Sequence, residues 1–235
     1  MLTLNIFVLS SCTAKKRFKR LDITCDVIDK FGREKLIKRD DLRNMVLPAR
    51  DMYMGSQHLY TVKAVEILRS IPNVNSVDFY ILSAGFGLLE ERTLIPPYEC
   101  TFGTMKREEI KYRSKKLHVE EELLKIFEKK KYDFCFFLLG VKYLTAIEDA
   151  LNRFPSNSTY YFYTSRGGAR IIPQKTFFNF IFADRFEAEK LRVSRFEIKG
   201  LLFYNLAKKL LEYSNSIKMI LKDPDTVREL CLNLK

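Results

Sequence analysis

With 235 residues, 47% of them hydrophobic and 13% aromatic, the chain can bury one sizeable core and is not a disordered tail. Lys and Arg number 41 against 29 Asp and Glu, a formal charge of +12. So large an excess favours a polyanionic partner, because cations that neutralise phosphates release counterions, and no stretch approaches the roughly 20 apolar residues of a membrane-spanning helix.

Taken in chain order, an apolar run from Leu2 to Leu9, broken only by Thr3 and Asn5, reads as a first buried strand. Leu9-Ser10-Ser11-Cys12 imitates a lipoprotein cleavage box, but no positive segment precedes it. Five cations in six residues follow, from Lys15 and Lys16 to Arg20. The stretch Pro48–His58 then packs Arg50, Asp51, Tyr53, Ser56 and His58 ahead of a helix carrying Leu59, Val62, Val65 and Leu68. Free N–H groups near Gly55 and Ser56 would cradle a phosphate, although an ordinary capped loop reads equally well. A second strand, Val77–Leu82, runs into Ser83-Ala84-Gly85-Phe86-Gly87, with Glu90, Tyr98 and Glu99 close behind. Ile110, Leu117, Leu124 and Phe127 form a long helical stripe, and Lys129–Lys131 precede a third strand, Phe134–Leu139. Gly140–Tyr143 follow it, with Leu144, Ile147 and Leu151 on the next helix. A tyrosine-rich fourth run, Thr159–Tyr163, reads as a strand nearer the edge and ends in a turn bearing Arg166 and Arg170, two cations that suit phosphate contact.

This alternation predicts an α/β fold with a mostly parallel central sheet flanked by helices, over residues 1–172. The aromatic burst Phe177–Phe182, an apolar helix over Leu201–Tyr213 and the Asp223-Pro224 helix start predict a helical C-terminal extension, residues 173–235, packed on it. Ligands of such sheets bind beyond the carboxyl ends of the strands, where four polar or glycine-bearing segments converge.

Cys12, Cys25, Cys100, Cys135 and Cys231 contain no C-x-x-C pair, which fits reduced thiols in a cytoplasmic protein better than a disulfide framework. His58 and His118 lie far apart with no cysteine at ligand spacing, so no metal is expected, and no cofactor motif is present: Gly85-Phe86-Gly87 lacks the third glycine of a dinucleotide loop. Carboxylate chemistry is the better candidate, drawn from Asp51, Glu90 and Glu99, with His58 either catalytic or a polar helix cap.

Ser-Cys-Thr-Ala-Lys-Lys (11–16), Pro-Ala-Arg-Asp-Met-Tyr-Met-Gly-Ser (48–56), Ile-Leu-Ser-Ala-Gly-Phe-Gly-Leu-Leu (81–89) and Pro-Tyr-Glu-Cys-Thr (97–101) together resemble an uncharacterised prokaryotic and phage domain family. That family is similar to YaaA-type peroxide-stress proteins and, more distantly, to the base-modifying domain of archaeosine synthase; the resemblance spans about residues 4–170. Where its members read Ser-Ala-Lys-Tyr-Gly-Leu, this chain has Gly85 for the lysine and Phe86 for the tyrosine. The resemblance implies a nucleic-acid partner, DNA in the first instance, and chemistry on a base. By analogy of fold with uracil-type DNA glycosylases, the expected activity is hydrolysis of the bond between sugar and a modified base, with a role in defence against phage DNA.

In that reading Asp51, His58 and Glu90 are catalytic. Tyr53, Phe86, Tyr98 and Ser83 bind the base, while Lys15, Lys16, Arg50, Ser56, Arg166 and Arg170 hold phosphates. The protein acts as a monomer. The alternatives are a DNA-binding stress-response protein without chemistry, a deazaguanine-modifying enzyme of tRNA or DNA, and an enzyme of small nucleotides.

Overall fold

The computed structural model describes residues 3–232, so Leu2 of the expected first strand and the last three residues of the expected extension lie outside the described residues. The chain runs β1 (Leu4–Ser11), α1 (Cys25–Leu36), β2 (Leu47–Pro48), α2 (Ala49–Met52), α3 (Ser56–Ser70), β3 (Val74–Ser83), β4 (Gly87–Glu90) and β5 (Leu94–Ile95). After these come α4 (Arg107–Lys116), α5 (Val119–Lys129), β6 (Phe134–Leu138), α6 (Val141–Thr145), α7 (Glu148–Leu151), β7 (Thr159–Thr164) and α8 (Arg166–Ala169). The chain closes with β8 (Phe178–Phe182), α9 (Arg185–Lys190), α10 (Ile198–Glu212), α11 (Ile217–Ile220) and α12 (Pro224–Leu232).

Six strands make one sheet in the order β4-β3-β1-β6-β7-β8, parallel throughout except for β4, which turns back antiparallel on β3. Both faces are covered, which is why the strands read as unbroken apolar runs. Side chains alternate with period two: Phe7 and Phe137 point to the face where Phe127 of α5 packs, while Phe136 and Tyr163 meet Phe203 of α10 on the other. Ring centroids 5.0–5.7 Å apart along these rows (Phe137–Phe162, Phe136–Phe203, Tyr163–Phe203) are typical of paired aromatics in a close-packed interior.

The segment after residue 172 supplies more than helices. Its aromatic burst is β8, hydrogen-bonded to β7, so the tyrosine-rich run lies one place in from the edge. Burial along it does not follow simple alternation: Phe178 and Ile181, on opposite faces, are both buried, while Phe182 at the strand end is 38% exposed. α10 lies along α3, and the two approach so closely at Gly200 that a Cβ there would sit 2.3 Å from the Gln57 carbonyl oxygen.

The odd cysteine count concealed a pair. Cys25, at the start of α1, is bonded to Cys100 across 75 residues, while Cys12, Cys135 and Cys231 are free and buried. The expectation of reduced thiols therefore fails for two of the five, because proximity across the fold leaves no trace in cysteine spacing, and the cysteines no longer argue for a compartment. Among the described residues no helix is long and apolar enough to cross a membrane.

Candidate functional site

After β1 the chain crosses to the α3 face and enters β3; after β6 it crosses to the face of α4, α5 and α7 and enters β7. Divergence of two neighbouring parallel strands opens a crevice at their carboxyl ends. A cavity of about 660 Å³ lies there. Its walls are residues 11–15 after β1, Gly55–Gln57 at the start of α3, Thr101 and Gly103, Gly140–Tyr143 after β6, and Ser194, Phe196, Glu197 and Lys199 around the start of α10.

Local pairing fixes these walls. The backbone after β1 docks on the segment before α3, with Met54 N–H donating to the Lys15 carbonyl (2.9 Å) and Arg17 N–H to that of Met52 (2.8 Å). Gly55 N–H donates to Thr13 Oγ1 at 3.2 Å. The floor is polar: Gln57 Nε2 donates to Ser11 Oγ (3.3 Å) and the Leu138 carbonyl (3.2 Å), and Cys12 Sγ lies 3.1 Å from Tyr143 Oη. α3 has 15 residues, no side chain caps its start, and Gly55–Gln57 there line the crevice, which sets the positive end of the helix dipole beside it.

Three lysines, Lys15, Lys142 and Lys199, line the cavity, and none forms an ion pair among the described residues. Burial without a counter-ion pulls the Lys199 amine down to about 8. A recess of about 460 Å³ between α4, α5 and α7 is also rich in charge, but Lys111 is bonded there to Asp149 at 3.2 Å, and Glu120 accepts the N–H groups of Asp149 and Ala150. In the crevice no lysine is offset by a carboxylate, although Lys142 Nζ donates to the Met105 carbonyl; in the recess Lys111 is paired, while Lys115 and Arg153 form no ion pair among the described residues.

The sequence-derived residues scatter relative to this crevice. Lys15 and Ser56 line it. Lys16 points away, its ammonium 4.3 Å from the Tyr98 ring centroid at a smaller recess, and burial lowers its pKa against the opposing pull of Cys12 and Glu99. Tyr53 and Tyr98, expected to frame a base, are core residues: Tyr53 Oη meets Tyr98 Oη at 2.8 Å, and Tyr98 Oη meets Ser83 Oγ at 2.7 Å. Burial holds both phenols above their usual range. Ser83 Oγ also accepts the N–H groups of Gly85 and Phe86, and Phe86 stacks edge-on against Tyr98, which leaves the set closed on itself.

His58 is fully buried between Tyr53 and Phe79, its Nε2 2.8 Å from the Arg50 carbonyl of α2, and does not line the crevice. Asp51 and Glu90 are exposed, one on α2 and one on the edge strand β4, and neither lines the cavity. Arg50 is committed to Glu66 (2.8 Å) and Glu91 (2.9 Å), and Arg166 to Asp184 and Glu187; Arg170 is exposed outside the cavity. Charge and spacing along the chain do not tell a committed arginine from a free one.

Conversely, Gln57, Lys142, Tyr143, Phe196, Glu197 and Lys199 were not singled out from the sequence. The first three lay inside segments that were noticed. The last three precede an apolar helix in Ser194–Gly200, where no motif distinguishes a crevice wall from a surface turn.

No curated protein matches the chain. One family model does, over residues 41–170, which takes in α3, β3, β6 and β7 and hence the α3 and β6 walls of the crevice. The chain belongs to that family, DUF6884, a family of unknown function.

Proposed function

We propose that the protein is a nucleic-acid base-processing enzyme, an N-glycosidase that hydrolyses the bond between deoxyribose and a modified base, with the crevice as its active site. The observation that carries this reading is the company the crevice keeps: an uncapped helix N-terminus, three lysines without an ion pair among the described residues, an exposed aromatic ring and one carboxylate. Phosphates are held at the α3 N-terminus by Lys15 and Lys142. Phe196, 71% exposed at the mouth with the Arg195 guanidinium 5.0 Å from its ring centroid, offers a flipped base the stacking surface that buried Tyr53 and Tyr98 do not. Glu197, the one carboxylate lining the cavity among the described residues, takes the part first given to Asp51: activating water or stabilising the sugar cation. The motif resemblance to YaaA-type proteins and to the base-modifying domain of archaeosine synthase supports the same partner from a different direction.

The test is incubation with single- and double-stranded oligonucleotides carrying modified bases, with mass spectrometry of released base. Glu197→Gln lowers release by about 100-fold or more, whereas Asp51→Asn and Glu90→Gln leave it unchanged. Salt-sensitive binding without release from any oligonucleotide overturns the reading in favour of a binding protein.

A further inference from the structure

Lys199 has no assigned work in hydrolysis. It stands in the first turn of α10, within the crevice wall that also holds Phe196 and Glu197, across from Gln57 of α3. The phosphate-holding lysines Lys15 and Lys142 come from the other walls, after β1 and β6. A lysine on the base-and-sugar side, without a carboxylate on its ammonium among the described residues, is placed to act as an amine.

We propose that Lys199 is the nucleophile of a lyase step, condensing with the aldehyde of an abasic deoxyribose held in the crevice. The inference rests on the base-processing reading and extends it from base release to strand cleavage. The Nζ lone pair forms a bond to C1′, and the aldehyde oxygen leaves as water, giving an imine. Glu197 accepts the C2′ proton; the electrons of that C–H bond form the C2′–C3′ double bond, and the 3′ phosphate leaves with the C3′–O pair. Water then hydrolyses the imine and returns the amine, so no oxidant or reductant is consumed. The lowered amine pKa supplies a substantial neutral fraction near pH 8. The charged and titratable groups lining the cavity with Lys199 are Cys12 and Lys15 after β1, Lys142 and Tyr143 on α6, and Glu197 at the N-terminal end of its own helix.

The experiment uses an oligonucleotide whose abasic site is formed beforehand, so base release is not required, with borohydride to reduce the imine. The expected result is a covalent protein–DNA adduct that maps by peptide mass to Lys199 and whose rate of formation rises between pH 7 and pH 9. Lys199→Arg keeps the positive charge and oligonucleotide binding but loses at least 50-fold in trapping. A wild-type protein that binds the abasic oligonucleotide without trapping, an adduct on Lys15 or Lys142, or full trapping by Lys199→Arg each overturns the inference. Base release without trapping removes the lyase step alone, whereas trapping without release from any modified base removes the glycosidase reading and keeps Lys199.

Discussion

Ser83 Oγ accepts two backbone N–H groups and shares a hydrogen bond with Tyr98, which in turn reaches Tyr53, so three side chains expected to hold a base instead hold the turn after β3. Tyr98→Phe takes the Tyr98 partner from the buried Tyr53 hydroxyl and one of three hydrogen bonds from Ser83 Oγ, a loss of about 1–3 kcal/mol. Urea unfolding should record that loss while base release per folded molecule stays at the wild-type level. His58 makes a second prediction. Burial lowers its pKa from 6.5 to about 4. Above pH 6.5 the ring is neutral folded or unfolded. As pH falls from 6.5 towards 4 only the unfolded chain gains the proton, and stability drops by up to about 3 kcal/mol. Urea midpoints measured across that window should fall with pH in the wild type and flatten in His58→Phe.

At the scale of elements, the crevice depends on α10 lying against α3. Gly200→Ala puts a methyl group into the Gln57 backbone, and the helices must part. A loss of roughly 1–3 kcal/mol is expected, typical of overpacking, together with weaker oligonucleotide binding; unchanged binding by fluorescence anisotropy would detach α10 from the site. The Cys25–Cys100 bond ties α1 to the loop that carries Tyr98 and Thr101. Replacing both cysteines by serine should lower stability by roughly 2–4 kcal/mol, and reduction with dithiothreitol should lower the unfolding free energy of the wild type by the same margin.

These elements also mark what the sequence conveys and what it withholds. Apolar runs of about five to eight residues, separated by helical stripes, announced β1, β3, β6 and β7 and the end of the sheet where the crevice opens, because burial on two faces writes itself into composition. β8 fell inside the expected helical extension, since an aromatic burst such as Phe177–Phe182 does not show that it pairs as a strand until its neighbour β7 is known. The same ambiguity governed the site. Arg50 and Arg166 read as phosphate ligands because their partners Glu91 and Asp184 are 41 and 18 residues away. Tyr53 and Tyr98 read as a base clamp because a hydroxyl satisfied inside a core cannot be told by sequence from one offered to a ligand. The crevice was legible as a place, and its lining only in part.

For the whole molecule, a formal charge of +12 predicts binding that weakens steeply with salt. If Lys15 and Lys142 touch phosphates, removing either should reduce the slope of log affinity against log salt by about 1, whatever the oligonucleotide sequence. The crevice has a further consequence, which follows from its walls being drawn from residues 11–15, 55–57, 140–143 and 194–199. A molecule bound there bridges remote parts of the chain and favours the conformation in which α10 is docked. At a free concentration of 100 times Kd this linkage amounts to about 2.7 kcal/mol. Amide hydrogens of α10 should then exchange more slowly with deuterium when an abasic oligonucleotide is present, and a protease that enters at 194–199 should be held off. The substrate becomes a temporary tie-beam of the molecule that processes it.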